Sequence, residues 1–194
     1  MRSLFGFTAL ALALAVSFSA SAGQYKIDPV HSSSHFKVLH FGASYIYGTL
    51  PTVTGEIEFD PANPEASKAT VVVKTAGVTT QNEGRDRHLS GPDFFNAKEF
   101  PEMRFTTSSW KKTGERMFEV SGTLSLLGKK QTVTAVVEFV GTGKHARSGK
   151  SLAGFHAEFT IDRSAFGMSY GVSEDGTGLG KDVDIIVSVE AAGE

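Results

Sequence analysis

Apolar and polar residues alternate with a period of two along most of the chain. Ile57 and Phe59 alternate with Glu56 and Glu58, and four later stretches follow the same rule. Because successive side chains of a β-strand point to opposite faces, this pattern predicts strands with one buried face. Together with three less regular candidates, the predicted strands lie at residues 35–41, 55–59, 67–77, 103–110, 118–126, 133–139, 155–161 and 183–189.

Turn residues separate these segments. Asp60-Pro61-Ala62-Asn63-Pro64 is a turn cluster, residues 112–114 and 128–129 predict tight hairpin links, and residues 141–151 predict a longer loop. Eight antiparallel strands can close a sheet into a barrel whose interior just holds one small ligand. We therefore predict an all-β fold, an eight-stranded antiparallel barrel. The alternation leaves open whether its interior is a filled core or an apolar cavity.

One segment interrupts the alternation, between Gln81 and Pro101. Asn82 or Thr80 can cap a short helix that runs through Leu89. Residues 90–93 resemble a second helix start, since proline suits the first turn of a helix. The segment is predicted to be a helical insertion that covers the barrel as a lid.

The N-terminal residues predict a secretory signal peptide. Arg2 precedes an apolar stretch from Leu4 to Phe18, and Ala20-Ser21-Ala22 is a small-residue cleavage site. About 15 apolar residues are too few to span a bilayer, which takes about 20. We predict residues 1–22 as the signal peptide, residues 23–194 as one exported domain without a transmembrane segment, and a periplasmic location.

Composition excludes several classes of function. The chain has 19 basic and 21 acidic residues, so it lacks the positive charge that nonspecific nucleic-acid binding needs. It has no cysteine, which excludes disulfides, thiolate metal sites and a cysteine nucleophile.

Two motifs suggest chemistry that their surroundings do not support. Residues 167–171 fit G-x-S-x-G, but the nucleophile elbow needs a strand before the serine and a helix after it. His31, His35 and His40 are suitable metal ligands, but on a regular strand only His31 and His35 share a face. We predict no catalytic residue and no metal site.

A dense charged cluster, residues 83–88, allows two interpretations. It is either a solvated helix face with Glu83 and Arg87 as an i,i+4 pair, or a polar collar at the mouth of the barrel. In the second case Arg85 and His88 donate hydrogen bonds to an anionic or carbonyl head group.

Four groups of residues, taken in order, resemble the signatures of the YceI-like family. They are Asp28-Pro29, His31-Ser32, Phe36, Val38, His40, Gly42, Ser44 and Gly48; then Arg85-Asp86-x-His88-Leu89, Asp93-Phe94-Phe95 and Phe100-Pro101; then Gly122-x-Leu124-x-Leu126-x-Gly128; and finally Asp162-Arg163-x-x-Phe166-Gly167 with Val183-x-Ile185. The resemblance implies a lipocalin-like barrel with a helical insertion. It also implies binding of a long isoprenoid lipid, of the polyprenyl phosphate or quinone type, with no other cofactor.

Strand parity and the resemblance together predict the ligand-binding residues. Large flat phenylalanines suit a branched apolar tail, whose burial contributes about 25 cal/mol per Å². We predict a wall of Phe36, Val38, Leu124, Leu126, Phe139, Phe155 and Phe159, with Phe94 and Phe95 from the lid and Arg85 and His88 at the mouth.

Three functions remain in competition. The first is a carrier or scavenger of lipophilic molecules, which include isoprenoids, quinones, fatty amides and lipophilic drugs. The second is an exported enzyme that acts on such a lipid, with His40, Asp86 and His88 as acid or base. The third is a filled-core structural or stress module. The predicted partner is a hydrophobic small molecule or lipid, and a homodimer is an open alternative.

Overall fold

Ten β-strands and one short α-helix form in the residues that the computed structural model describes, namely 23–173, 175 and 177–194. The predicted signal peptide lies outside them. The elements are β1 (Gly23–Ile27), β2 (Ser33–His40), β3 (Ser44–Leu50), β4 (Val53–Phe59), β5 (Lys68–Lys74), α1 (Glu83–Leu89), β6 (Glu102–Lys112), β7 (Met117–Leu126), β8 (Lys129–Lys144), β9 (Ser151–Asp162) and β10 (Leu179–Gly193). Short 3₁₀ turns form at Pro64–Ala66 and Arg163–Phe166.

The strands close into an antiparallel barrel with eight positions. One edge of β10 pairs with β1 near Ala191 and with β2 near Val187, so β1 and β2 together occupy one position. In the same way β3 and β4 together occupy the next position, because β3 pairs with β2 and β4 pairs with β1. The remaining order is β4-β5-β6-β7-β8-β9-β10, and the β1–β10 pairing closes the ring. The prediction of an eight-stranded antiparallel barrel is confirmed.

The sequence analysis missed β1 and β3. Tyr45 and Tyr47 of β3 point outward and are 54% and 63% exposed, so this strand carries large apolar rings on its solvent face. Without polar residues on one face, the period-two signal disappears. The segment β1 has only five residues, too few to show the alternation clearly.

The residues that the alternation predicts to face inward are buried in the structure. Phe118, Val120, Leu124 and Leu126 of β7 are all buried, and their neighbours Glu119 and Thr123 are exposed. Across the sheet, inward residues of adjacent strands pair with each other, as Phe139 does with Phe155 and Phe159 with Ile185.

Aromatic rings fill one end of the barrel. Phe59 lies at the centre, with ring centroids 5.8 Å from Trp110, 5.8 Å from Phe118, 4.8 Å from Phe139 and 5.1 Å from Phe155. Tilted and edge-on contacts at these distances are the favoured geometries for aromatic pairs. This end is therefore a packed core.

Two turns illustrate how the strands are joined. Leu127 and Gly128 have φ values of 51° and 72°, which gives a two-residue turn between β7 and β8 of the kind that matches strand twist. The predicted loop at 141–151 is too long, because β8 continues to Lys144 and β9 starts at Ser151. A register shift between Phe139 and Gly141, where Gly141 has φ 146°, lets β8 continue past the glycine.

The lid segment, residues 81–101, begins with the predicted helix. The Asn82 side chain accepts a hydrogen bond from the Arg85 amide at 3.0 Å, as an N-cap should. The predicted second helix start at residues 90–93 is wrong. There the chain makes tight turns instead, and the Phe95 amide bonds back to the Leu89 carbonyl at 2.9 Å.

The lid segment is attached to the barrel at both ends. Before it, Thr79 and Thr49 of β3 exchange two backbone hydrogen bonds, at 2.8 and 3.0 Å. At its C-terminal end, the Phe100 carbonyl accepts a hydrogen bond from the hydroxyl of the buried Thr75 at 2.7 Å. Among the described residues, none of the helices is long and apolar enough to cross a membrane.

Candidate ligand-binding cavity

A cavity of about 320 Å³, here called the outer cavity, lies between the lid segment and the open end of the barrel. That volume is at the lower end of the range of small-molecule sites, about 300–1,000 Å³. Most of its wall is apolar. It is lined by Ser34, His35, Phe36, Val38, His40, Phe41, Ile46, Leu50, Arg85, His88, Leu89, Phe94, Phe95, Met103, Leu126, Ile161, Arg163, Met168, Tyr170, Leu179, Val183 and Ile185.

The lid segment supplies rings to this wall. Phe95 meets Phe36 of β2 edge-on, with centroids 6.4 Å apart, and Phe94 is buried. The turn that holds them is tight, since the amides of Phe94 and Asn96 both bond to the Gly91 carbonyl. A glycine on β3 also shapes the wall: the Phe36 ring lies across Gly48, where any β-carbon would overlap it.

Arg85 reaches the cavity wall from α1, held by its neighbour Thr80. Its Nε donates to Thr80 Oγ1 at 2.6 Å and its Nη2 donates to the Thr80 carbonyl at 2.9 Å. Asp86 holds the same residue from the other side, accepting from the Thr80 amide at 2.7 Å and from its hydroxyl. These hydrogen bonds, first of all that from the Thr80 hydroxyl, lower the pKa of Asp86.

His88 lies at the mouth of the outer cavity. Its Nε2 is 2.8 Å from Asp93 Oδ2, and its ring meets Phe94 and Tyr170 edge-on, with centroids 5.0 and 4.8 Å apart. The charged cluster therefore lies partly on the cavity wall and partly in solvent. Arg85 and His88 face the cavity, whereas Arg87 lies on the solvated side, 3.8 Å from Glu83.

Arg163 is a buried cation of the cavity wall that the sequence analysis did not select. Its Nε donates to the carbonyl of Gly180 at 2.7 Å and its Nη1 to that of Met168 at 2.6 Å. Nη2 donates to the carbonyls of Tyr170 and Leu179 at 3.0 and 3.2 Å. Because burial disfavours the charged form, the pKa of Arg163 is lowered. The guanidinium thus ties Met168 and Tyr170 of the following loop to Leu179, the first residue of β10, at the cavity wall.

A second void of about 80 Å³, the inner cavity, lies deeper in the barrel. Its wall includes Ala135, Ala157, Trp110 and Phe105, with Leu124, Phe155 and Phe159 among the predicted residues. Met103 and Ile185 line both cavities, so they separate them. Methionine is unbranched and adaptable, so the Met103 side chain can change its conformation more easily than a branched one.

The structure distributes the predicted ligand-binding residues over three places. Seven line the outer cavity: Phe36, Val38, Arg85, His88, Phe94, Phe95 and Leu126. Three line the inner cavity: Leu124, Phe155 and Phe159. Phe139 lies outside both, packed against Phe59 and Phe155 in the aromatic core.

Several wall residues were missed. Ile185 and Val183 carry the same inward parity as the chosen positions, so that signal was present but not used. Met168 and Tyr170 belong to the loop after the Arg163–Phe166 turn, which shows no alternation, and Leu179 is the first residue of β10. The family motif around Arg163 was the sequence signal that could have pointed to this loop. A buried arginine needs hydrogen-bond acceptors, and those of Arg163 are carbonyls of this region.

The histidines near the N-terminus do not share one face. His31 precedes β2 and lies 2.8 Å from Asp28 Oδ2 and 3.7 Å from Glu190 Oε1. His35 is exposed, with its Nδ1 3.2 Å from the Thr49 hydroxyl, and both His35 and His40 border the outer cavity. The hydrogen bond between His31 and Asp28 raises the pKa of His31 and lowers that of Asp28.

Comparison with known proteins identifies relatives of this chain. Residues 25–191 match the profile of the YceI-like domain family. The YceI protein of Salmonella arizonae is 37% identical over 194 residues, covering 97% of this chain and 96% of its own.

Solved structures are similar as well. A Campylobacter jejuni YceI structure is 32% identical, with a TM-score of 0.69 over 81% of this chain and 91% of its own. A polyisoprenoid binding domain from Saccharophagus degradans has the same fold, with a TM-score of 0.63 at 14% identity over 88% of this chain and 98% of its own.

Proposed function

The chain belongs to the YceI-like domain family, and we propose that it binds a long isoprenoid lipid, of the polyprenyl phosphate or quinone type, inside its barrel and carries it. The observation that carries this proposal is the pair of apolar cavities in line along the barrel, separated by Met103 and Ile185. A chain molecule fits such a shape better than a compact one. The related fold of the polyisoprenoid binding domain supports the same ligand class.

Burial of the tail supplies the affinity. Each methylene removed from water contributes about 0.8 kcal/mol, so a chain of several isoprene units needs few polar contacts. The mouth offers those contacts through Arg85 and His88, with Tyr170 beside them. The mouth can therefore hold a polar group of the ligand while the tail lies among Phe36, Phe95 and the deeper residues.

The geometry favours binding over catalysis. Of the three acid or base candidates, Asp86 is engaged by Thr80 and Thr79, and His88 by Asp93. Of these three, His40 and His88 line the outer cavity and Asp86 does not, whereas acid–base chemistry needs titratable groups that converge on one reacting atom. The chain is therefore proposed to be a carrier without catalytic activity, which acts in the periplasm after removal of residues 1–22.

The test is to isolate the protein from the periplasm under native conditions, extract it with organic solvent and identify what co-purifies by mass spectrometry. We expect an isoprenoid or quinone at about one molecule per chain. A fatty amide or another lipophile in its place would contradict the isoprenoid specificity. A ligand-free protein that also fails to take up added polyprenyl lipid would overturn the carrier function.

A further inference from the structure

The β2–β3 hairpin carries exposed aromatic rings beside the outer cavity. Phe41, at the tip of the hairpin, is 58% exposed, and Tyr45 and Tyr47 on its outward face are exposed as well. Tyr170, next to His88, is 49% exposed. Phe41 and Tyr170 also line the outer cavity, so the exposed rings continue from its wall. These four residues, Phe41, Tyr45, Tyr47 and Tyr170, are here called the aromatic rim.

The backbone at the hairpin tip does not favour a phenylalanine. Phe41 and Gly42 have φ values of 51° and 67°, and the Ala43 amide donates to the His40 carbonyl at 3.0 Å, as in a type I′ turn. Positive φ at both central positions of such a turn favours asparagine, aspartate or glycine, and a bulky side chain is rare there. A phenylalanine at this position therefore needs a gain from its side chain.

A second turn of the same kind shows how a side chain supplies that gain inside the fold. Leu127 and Gly128, between β7 and β8, have φ values of 51° and 72°. The Leu127 side chain is partly buried and packs against the hydrophobic core, which offsets the backbone cost. The Phe41 ring contacts the His40 ring, with centroids 4.1 Å apart, and the residue stays largely in solvent. Packing within the barrel therefore does not account for Phe41.

The sequence of the hairpin lacks the charges that oppose entry into a lipid interface. Residues 38–55 contain no Asp, Glu, Lys or Arg, although 21% of the chain is charged. Lys37 comes just before this stretch, and its Nζ is paired with Asp184 at 2.8 Å. Phenylalanine suits the apolar side of a membrane interface, and tyrosine suits the headgroup level because one end of its ring is polar. The hairpin combines both residue types without a charge.

The size of the aromatic rim favours a bilayer over a protein partner. A stable protein–protein interface buries about 800 Å² on each side and takes about 20–30 residues. The exposed residues at this end of the hairpin are only 41–45 and 47. A bilayer needs no complementary surface of that area, because a ring that enters it leaves water by itself.

We propose that the aromatic rim docks on the surface of a lipid bilayer, with the Phe41 ring inserted below the headgroups and the outer cavity opening toward the membrane. This inference rests on the proposed function, since a long isoprenoid lipid is insoluble in water and leaves a bilayer to enter the barrel. Tyr45 pairs with Leu39 next to the turn, and Tyr47 follows about 7 Å farther along β3. Tyr45 then lies at the level of the headgroups, and Tyr47 lies at their outer edge.

The experiment measures flotation of the protein with vesicles that contain no isoprenoid, which separates docking from ligand binding. One set of vesicles is phosphatidylcholine alone, and the other is phosphatidylethanolamine with phosphatidylglycerol. We expect the wild type to bind both sets. Binding should persist at about 1 M NaCl, where charges are screened beyond about 3 Å, because uncharged rings make the contact. Phe41→Asn should weaken binding about tenfold to a hundredfold, since the phenyl ring no longer leaves water.

The variants are chosen so that loss of docking is not loss of folding. Asparagine suits the positive φ at position 41, so Phe41→Asn should keep or raise the melting temperature. Tyr45→Ser changes a ring that does not line the outer cavity. It should weaken vesicle binding and leave the affinity for a polyprenyl lipid supplied in detergent unchanged. Val136→Ser removes a similarly exposed apolar side chain from the outward face of β8 and should bind vesicles as the wild type does.

Each other outcome overturns a stated point. Absence of vesicle binding, or binding that is unchanged in both Phe41→Asn and Tyr45→Ser, would overturn the docking role of the aromatic rim. Binding that needs phosphatidylglycerol and disappears in high salt would assign attachment to charge instead. A dimer in sedimentation equilibrium that Phe41→Asn abolishes would assign the rim to a second copy of the chain. A wild type that binds vesicles but takes up no added polyprenyl lipid would contradict the proposed function and leave the docking surface standing.

Discussion

Ala135 of β8 points into the inner cavity, is 2% exposed and lies opposite Val120 across the sheet. Replacement by leucine adds three carbons at a position that borders a void of about 80 Å³. If the lipid tail extends past Met103 into this void, Ala135→Leu should shorten the chain that the barrel accepts. Because the added carbons fill empty space, the variant should also be more stable without ligand.

The magnitudes follow from the void. Residual cavity volume costs about 24 cal/mol per Å³, so filling 80 Å³ can raise the free energy of unfolding by about 2 kcal/mol. Exclusion of one five-carbon isoprene unit removes about 0.8 kcal/mol for each carbon, or about 4 kcal/mol. Binding of a long prenyl chain should therefore weaken by up to roughly a thousandfold, whereas a short chain that ends in the outer cavity should bind as before.

Trp110 makes the assay direct. It is the single tryptophan of the sequence and lines the inner cavity. Titration with benzoquinones that carry two or eight isoprene units, followed by Trp110 fluorescence, reports both affinity and contact with the inner cavity. Urea unfolding of the ligand-free protein measures the stability change. Val136→Leu, on the outward face one residue along β8, is the matched control and should change neither quantity.

One result would refute the use of the inner cavity. If Ala135→Leu binds the eight-unit quinone as tightly as the wild type does, with the same response of Trp110, the tail does not occupy this void. Should leucine overfill the site and lower stability, Ala135→Val repeats the test with a smaller side chain, since overpacking costs about 1–3 kcal/mol.

Three further predictions concern the wall, the buried arginine and the surface histidine. Gly48→Ala should tilt the Phe36 ring into the outer cavity and weaken prenyl-quinone binding in the same titration, and an unchanged affinity would show that Phe36 does not limit the wall. Arg163→Lys loses the fork that bonds four carbonyls and should lower the free energy of unfolding in urea by about 3 kcal/mol, so a loss below about 1 kcal/mol would contradict its clamping role. The pKa of His31 is raised and that of Asp28 is lowered, so their contact should stabilise the protein from about pH 4 to 6.5 and weaken outside that range. NMR titration should give His31 a midpoint above 6.5, and Asp28→Asn should lower that midpoint, leaving the smaller contribution of Glu190.

Local features of the fold could be predicted because their signals are local. The inward parity of β7 depends only on the alternation of side chains along a strand, and it holds from Phe118 to Leu126. The N-cap of α1 depends on Asn82 and the three residues after it. Where the pattern was locally ambiguous, as for β3 with its outward Tyr45 and Tyr47, the sequence offered no such signal.

Many residues of the candidate site could also be predicted from the alternation along each strand, because a side chain that lines the cavity from a strand must point inward. Inward parity alone, however, does not distinguish a wall from a packed core. Phe36 and Phe139 carry the same signal, yet Phe36 borders the outer cavity and Phe139 packs against Phe59 in the aromatic core. The difference depends on which side chains come from the opposite strands, and those are far away in the sequence.

The sequence by itself determined the strand faces, the capped helix and the family signatures, since each rests on residues within a few positions of one another. Only the tertiary structure decided where the barrel is empty, because a void is set by the distance between strands that meet across it. It also decided that Arg163 is buried at that void and bonded to four carbonyls. Hydrogen bonding and burial at such positions depend on contacts that no local pattern contains.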